Sequence, residues 1–211
     1  MVDGALGINE AVLQEVWRLP RGEADFVTVV IPELFRRASL LDAVRRPHAL
    51  LLKLRLLTES GVVVADVPVV EGAGAAPPER PVVRVLVSEL NAASMRALNY
   101  AKTLQVEDTR AVNFAFSASE AADLRHEWRV HDPGVPLEVD EAPYRDIGTP
   151  LLRYLREITA DERAEVIVVM RELVVRGARR LLHNQRALYV KRLLLFEERV
   201  ILTSVPYQLM R

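Results

Sequence analysis

Few side chains in this sequence combine the type and the spacing that chemistry needs. His183, Asn184 and Gln185 set an imidazole beside two amides, a group that can position a ligand by hydrogen bonds or simply cap and pack the start of a helix. Arg176, Arg179, Arg180 and Arg186 form the densest positive cluster, suited equally to a phosphate and to a solvated helix face. Tyr144 and Arg145 can stack on a base and clamp its phosphate, or close a loop. Glu33 and Glu172 each follow an apolar run, but one recurring carboxylate is not an acid/base pair. His126 and His131 have no acids at metal-ligand spacing, and His48 follows Pro47 at a bend. No nucleophile sits beside a base, so neither an enzyme nor a metal site is expected.

Composition narrows the classes further. With 28 basic against 29 acidic residues the formal charge is -1, which leaves no electrostatic footprint for nucleic acid. Half of the 211 residues are hydrophobic, enough for one full core and part of a second. The absence of cysteine excludes disulfides and thiolate catalysis and fits a reducing, cytoplasmic setting. The leucine-rich stretch from Ala49 to Leu57 is interrupted by Lys53 and Arg55, so no membrane insertion is expected.

The elements that must position these side chains are organised around residues 82 to 117. Val83, Val85, Leu86 and Val87 form an apolar run of the kind a doubly covered strand requires. Asn91 is an N-cap candidate for a helix carrying Met95, Leu98, Ala101 and Lys102 at helical spacing, and Ala111 to Phe116 form a second strand. Strand, helix and strand make a right-handed βαβ unit. Downstream, a helix capped at Ser117 or Ser119 runs to about Val130. Then come a strand at Leu137–Ala142, a helix at Ile147–Ile158, a strand at Glu165–Met170, a helix at Arg179–Phe196 and a strand at Arg199–Val205. This alternation predicts an open, doubly wound parallel sheet of five strands. Upstream lie a helix at Ile8–Leu19, a strand at Phe26–Ile31, a helix at Leu40–Leu57 kinked at Pro47, and a strand at Val62–Val70. EGAGAAPPER, residues 71–80, has linker composition, dividing a partial domain at 1–70 from a complete one at 81–211.

An internal repeat relates the two parts. Residues 8–35 lie over residues 147–174 without a gap, placing Glu33 on Glu172. After a one-residue shift Ala49 matches Ala187, Lys53 matches Lys191, and Val67-Pro68 matches Val205-Pro206. The first part is therefore the back half of a second domain lacking its first three strands, which favours a fragment of a longer protein. Its last strand, Val62–Val67, is expected to cover the apolar edge at Val200–Val205 within the chain.

RVLVSELNAASMRALNYAKTL, EAPYRDIGTPLLRYL, and LLHNQRALYVKRLLLF followed by RVILTSVPY resemble the cytoplasmic C-terminal region of bacterial APC-family permeases, which is similar in fold to the universal stress proteins. The resemblance covers residues 82–209, most specifically at Leu182-His183-Asn184-Gln185 and Ser204-Val205-Pro206-Tyr207. It implies the strand order 3-2-1-4-5 and an adenosine-sized pocket at the ends of the first, second and fourth strands. Ser88 and Glu89, Phe116 and Ser117, and Arg171 and Glu172 occupy those ends. The stretch after the fourth strand holds Gly177 alone, so a glycine-rich triphosphate cradle is missing. The resemblance also makes cyclic di-AMP a candidate, since it needs arginines and apolar or aromatic walls, here Arg145 and Arg171 as clamps with Ser88 and Phe116 at an adenine slot. The expected function is a non-catalytic regulatory domain of an APC-type amino-acid or cation permease, joined to its transmembrane part and acting at the cytoplasmic face. The alternative is a soluble universal-stress-like protein that binds an adenine nucleotide.

Overall fold

The apolar run at residues 82–87 becomes the middle of a seven-stranded sheet in a computed structural model of the chain, which describes residues 2–22, 25–33, 47–68, 79–142, 146–174 and 185–208. In chain order the elements are α1 (Val2–Arg18), β1 (Val27–Glu33), α2 (Pro47–Leu56), β2 (Val62–Pro68), β3 (Arg80–Leu86), α3 (Ala92–Thr103), β4 (Thr109–Ala115), α4 (Ala118–His131), β5 (Leu137–Glu141), α5 (Gly148–Thr159), β6 (Ala164–Val174), α6 (Gln185–Leu194) and β7 (Val200–Gln208). The strands lie in the order β1-β2-β7-β6-β3-β4-β5. Every neighbouring pair is parallel except β2 with β7, which is antiparallel.

Period-two alternation assigns the core. Val83 and Val85 of β3, and Val87 just after it, face Ala97, Leu98 and Ala101 of α3 and Leu124 and Trp128 of α4. Val82 faces the other way, with Val112, Val166 and Val168, under Leu151 and Leu155 of α5 and Val190 and Leu194 of α6. Leu13 and Val16 of α1 and Leu56 of α2 cover Val62 and Val64 of β2 on that second face. Asn91 caps α3, its side chain accepting from the Ser94 N–H, and Ser117 caps α4 by accepting from the Glu120 N–H. The α3 stripe differs from expectation: Lys102 is exposed and Met95 half-buried, whereas Ala93, Ala97, Leu98 and Ala101 pack inward. Small residues let this helix lie close to the sheet, so the apolar stripe follows the alanines.

Several boundaries also move. Helix α1 begins at Val2 rather than Ile8, and Arg80, placed in the linker, is the first residue of β3, in register with Ala164. Pro47 is the first residue of the described helix α2, and the stretch before it lies outside the described residues. Strand β6 runs on to Val174 because β7 runs on to Gln208, and the two pair along that whole length.

The partial and complete copies join in one sheet through the expected edge. Val64 pairs with Ser204, Ala65 with Thr203, and Asp66 with Leu202. Under the repeat alignment Leu202, Thr203 and Ser204 are the counterparts of Val64, Ala65 and Asp66. Each residue thus meets the counterpart of its mirror position, and the seam has a local two-fold axis at Ala65 and Thr203. Helix α3 fastens it from one face: the Tyr100 ring meets Phe26 edge-on with centroids 5.3 Å apart, Tyr100 and Thr28 share a 3.1 Å hydroxyl hydrogen bond, and Arg96 lies 5.0 Å from the Phe26 ring centre.

A buried arginine fastens the opposite face. Arg84, 5% exposed, donates from Nε to the Tyr154 hydroxyl at 2.7 Å and from Nη1 and Nη2 to the Asp108 carboxylate at 2.9 and 3.2 Å. Tyr154 donates to Glu138, which also accepts from Arg110 at 2.6 Å, so α5 is tied to β3, β4 and β5. Burial and the bond to Glu138 push the Tyr154 hydroxyl up to about 12. Burial alone would raise Asp108, but hydrogen bonds and charge from Arg84 and Arg110 outweigh it and hold the carboxyl below its ordinary value.

Two predictions follow from these fastenings. Because the folded Asp108 carboxyl is depressed, its stabilisation is complete above about pH 4, the unfolded value, and is lost as pH falls through the lower folded value. Asp108→Asn should cost about 3 kcal/mol at neutral pH by leaving Arg84 without its counter-ion, and should flatten the acid limb of a plot of denaturant midpoint against pH. A wild-type acid limb in the variant would show that other carboxyls cause it. Tyr100→Phe should cost about 1 kcal/mol and speed amide exchange first in β1, where Thr28 loses its partner. Uniform acceleration across the sheet would contradict a local fastening.

Candidate functional site

The helix that follows β3, α3, lies on one face of the sheet and the helix that follows β6, α6, on the other, so β3 and β6 are the neighbours at which the strand order reverses. A cavity of about 580 Å³ opens there, reaching across to β4 and under α6. That volume falls within the range of small-molecule sites. Leu86, Phe114, Phe116 and Met170 form apolar walls, closed on the helical side by Ala187 and Val190. The polar lining comprises Ser88, Asn113, Glu120 and Arg171.

Each polar group is held by a nameable contact. Arg171 donates from Nη2 to the Ser88 hydroxyl at 2.8 Å and to the Glu89 carboxylate at 2.9 Å. Its Nη1 is buried and, among the described residues, has no hydrogen-bond partner, so one arm of the guanidinium fork is desolvated and unspent. Asn113, 7% exposed, donates to the Val87 carbonyl at 2.8 Å and bridges the ends of β3 and β4. Glu120 accepts from the Phe116 N–H at 3.1 Å while its own N–H is received by Ser117, a reciprocal cap at the start of α4. Asp146 accepts from the Thr149 hydroxyl at 2.7 Å and the Gly148 N–H at 2.9 Å, fixing the start of α5, and these bonds keep its carboxyl below the ordinary value. Gly148 lies close under α6: a Cβ there would press on the Tyr189 hydroxyl and fall 3.0 Å from Leu193 Cδ1, so the Tyr189 side chain would have to shift.

The residues expected at the strand ends separate into three groups. Ser88, Phe116 and Arg171 line the cavity, and Glu89 reaches it through Arg171. Ser117 caps α4 at the rim, its hydroxyl 3.0 Å from that of Ser119. Glu172 belongs elsewhere. Arg171 and Glu172 were expected in a loop after β6, but both lie inside the strand, in register with Val205 and Pro206. Alternation sends Arg171 to the α3 face beside Ser88, and Glu172 to the α6 face, where it forms an ion pair with Lys191. Arg145, Tyr144, His183, Asn184, Arg176, Arg179 and Arg180 lie outside the described residues, as do the side chains of Glu33, Gln185 and Arg186. Asn113, Phe114 and Met170 were missed. The one signal for Asn113 was a lone amide within an apolar strand, a residue type that pays for burial only when hydrogen-bonded.

Among the described residues no helix is long and apolar enough to cross a membrane, and no group of three or more His, Asp or Glu side chains could hold a metal ion. No curated protein matches the sequence. Residues 79–207, more than half of the chain and spanning β3 to β7 with the whole cavity, match the family model of the KimA potassium transporter C-terminal domain. With its cavity-bearing portion matched throughout, the chain belongs to the family of the KimA potassium transporter C-terminal domain.

Proposed function

We propose that this chain is a non-catalytic, cytoplasmic regulatory domain of an APC-type amino-acid or cation permease, and that its cavity senses an adenine nucleotide, with cyclic di-AMP as the candidate. The observation that carries the reading is Arg171 in the lining of a cavity walled by Phe114 and Phe116, its Nη1 buried and without a hydrogen-bond partner among the described residues. A buried donor without an acceptor costs free energy, and a phosphate oxygen in the cavity would remove that cost with a charge-assisted bond. Phe114 and Phe116 supply faces against which a base can stack, and Asn113 supplies an amide for its edge. The order β5-β4-β3-β6-β7 of the matched part supports a universal-stress-like arrangement, in which a ligand lies at the point where the strand order reverses. Gly177 alone stands where a glycine-rich triphosphate cradle would need several, which favours a ligand held by a guanidinium and stacked bases over ATP.

Calorimetry with cyclic di-AMP, AMP and ATP on the purified chain tests the reading. Cyclic di-AMP should bind most tightly, and Arg171→Ala should weaken it at least tenfold, the loss expected for one charge-assisted hydrogen bond worth roughly 1.5–3 kcal/mol. If none of the three binds more tightly than about 1 mM, roughly 4 kcal/mol, the cavity has no nucleotide role.

A further inference from the structure

Arg171 is the only cationic residue lining the cavity among the described residues, and one of its two terminal nitrogens is already shared. Nη2 serves Ser88 and Glu89 together, while Nη1 has no hydrogen-bond partner among the described residues. A phosphate takes a guanidinium best through two parallel N–H bonds, so seating one on Arg171 requires Nη2 as well as Nη1. We infer that Glu89 sets the affinity of this cavity by competing with an incoming phosphate for Arg171.

Exposure decides which partner yields. The Glu89 side chain is 61% exposed and the Arg171 side chain 20%, so the carboxylate can swing into water at little cost while the guanidinium stays. Nothing essential unravels when it goes. Glu89 also accepts from the Asn91 amide at 2.9 Å, but Asn91 caps α3 through its other side-chain atom, accepting from the Ser94 N–H at 2.9 Å. The Glu89 carbonyl is held separately by the Ser94 hydroxyl at 2.6 Å. The backbone beside Ser88 therefore stays in place while the side chain changes partner. Glu120 adds a second negative charge to the cavity lining. The cavity is thereby biased against small anions that bring no stacking base, because only a ligand with additional apolar contacts can offset the displacement of Glu89.

The inference rests on reading the cavity as a nucleotide-phosphate site, and the test separates the two. Cyclic di-AMP and AMP are titrated calorimetrically into the wild-type chain, Glu89→Gln, Arg171→Ala and the double variant. Glutamine keeps an oxygen for Asn91 and removes only the charge. Glu89→Gln should bind both nucleotides about fivefold to tenfold more tightly, the difference between a charged and a neutral competitor. The gain should shrink at high salt and vanish in the Arg171→Ala background. Wild-type binding with no gain in Glu89→Gln, or a gain that survives Arg171→Ala, overturns the role of Glu89 and leaves the nucleotide reading standing. Binding weaker than about 1 mM in both proteins removes the nucleotide reading and this inference together.

Discussion

The structure depends on the antiparallel contact between β2 and β7. A parallel sheet needs both faces covered and both edges managed, and β7 on its own would present an apolar edge to water. Pairing with β2 makes it an interior strand in which Thr203, Ser204 and Val205 are each 1% exposed. The local two-fold at Ala65 and Thr203 follows from repetition. Two copies of one strand, each with an unpaired edge, complement each other best when run antiparallel in a symmetric register, as identical subunits do across an isologous interface. Here both copies belong to one chain, so association carries no translational cost.

The seam also shows how far neighbours override a repeated sequence. Val30 and Val169 are repeat counterparts, yet Val30 is 59% exposed and Val169 fully buried, because β6 has β3 beside it and α3 above it while β1 forms the sheet's edge. Glu15 stands where the complete copy has Tyr154. With no counterpart of Arg84 to meet, it pairs instead with Arg18 in solvent. Lys53 and Lys191 are counterparts too, but Lys191 meets Glu172 on β6 whereas Lys53 lies 2.8 Å from Asp66 on β2. The cavity lies at the ends of β3, β4 and β6, all of them strands of the complete copy.

Most of the secondary structure was legible because it is written in local chemistry. The caps at Asn91 and Ser117 and the valine run of β3 need no knowledge of neighbours. The inward stripe of α3 was less legible. Alanines score weakly on any hydrophobic pattern, and their importance lies in how close they let the helix approach. Arg84 was illegible for the same reason: a charge inside a strand reads as a solvent-facing residue until Asp108, Glu138 and Tyr154, all distant in sequence, converge on it. The cavity was half legible. Strand ends fix where a crevice forms, but Asn113, Phe114 and Met170 line it from inside their strands, where chain order gives no hint of a site.

The length of β6 decides the chemistry of that crevice. A strand ending at Met170, as its last apolar residue suggested, would release Arg171 and Glu172 into a loop, free to act as a pair on one ligand. Because β7 continues past Pro206 to Gln208, β6 is drawn out with it, and both residues are held in the pleat. Alternation then divides them. Arg171 is turned toward Ser88 on the α3 face, while Glu172 is turned to the α6 face and neutralised by Lys191. Had Glu172 stayed beside Arg171 it would have satisfied the guanidinium from a rigid strand, and no phosphate could have displaced it cheaply. The acid that does reach Arg171 comes instead from Glu89, an exposed residue between β3 and α3. The pairing length of two strands thus leaves the arginine a partner that can leave.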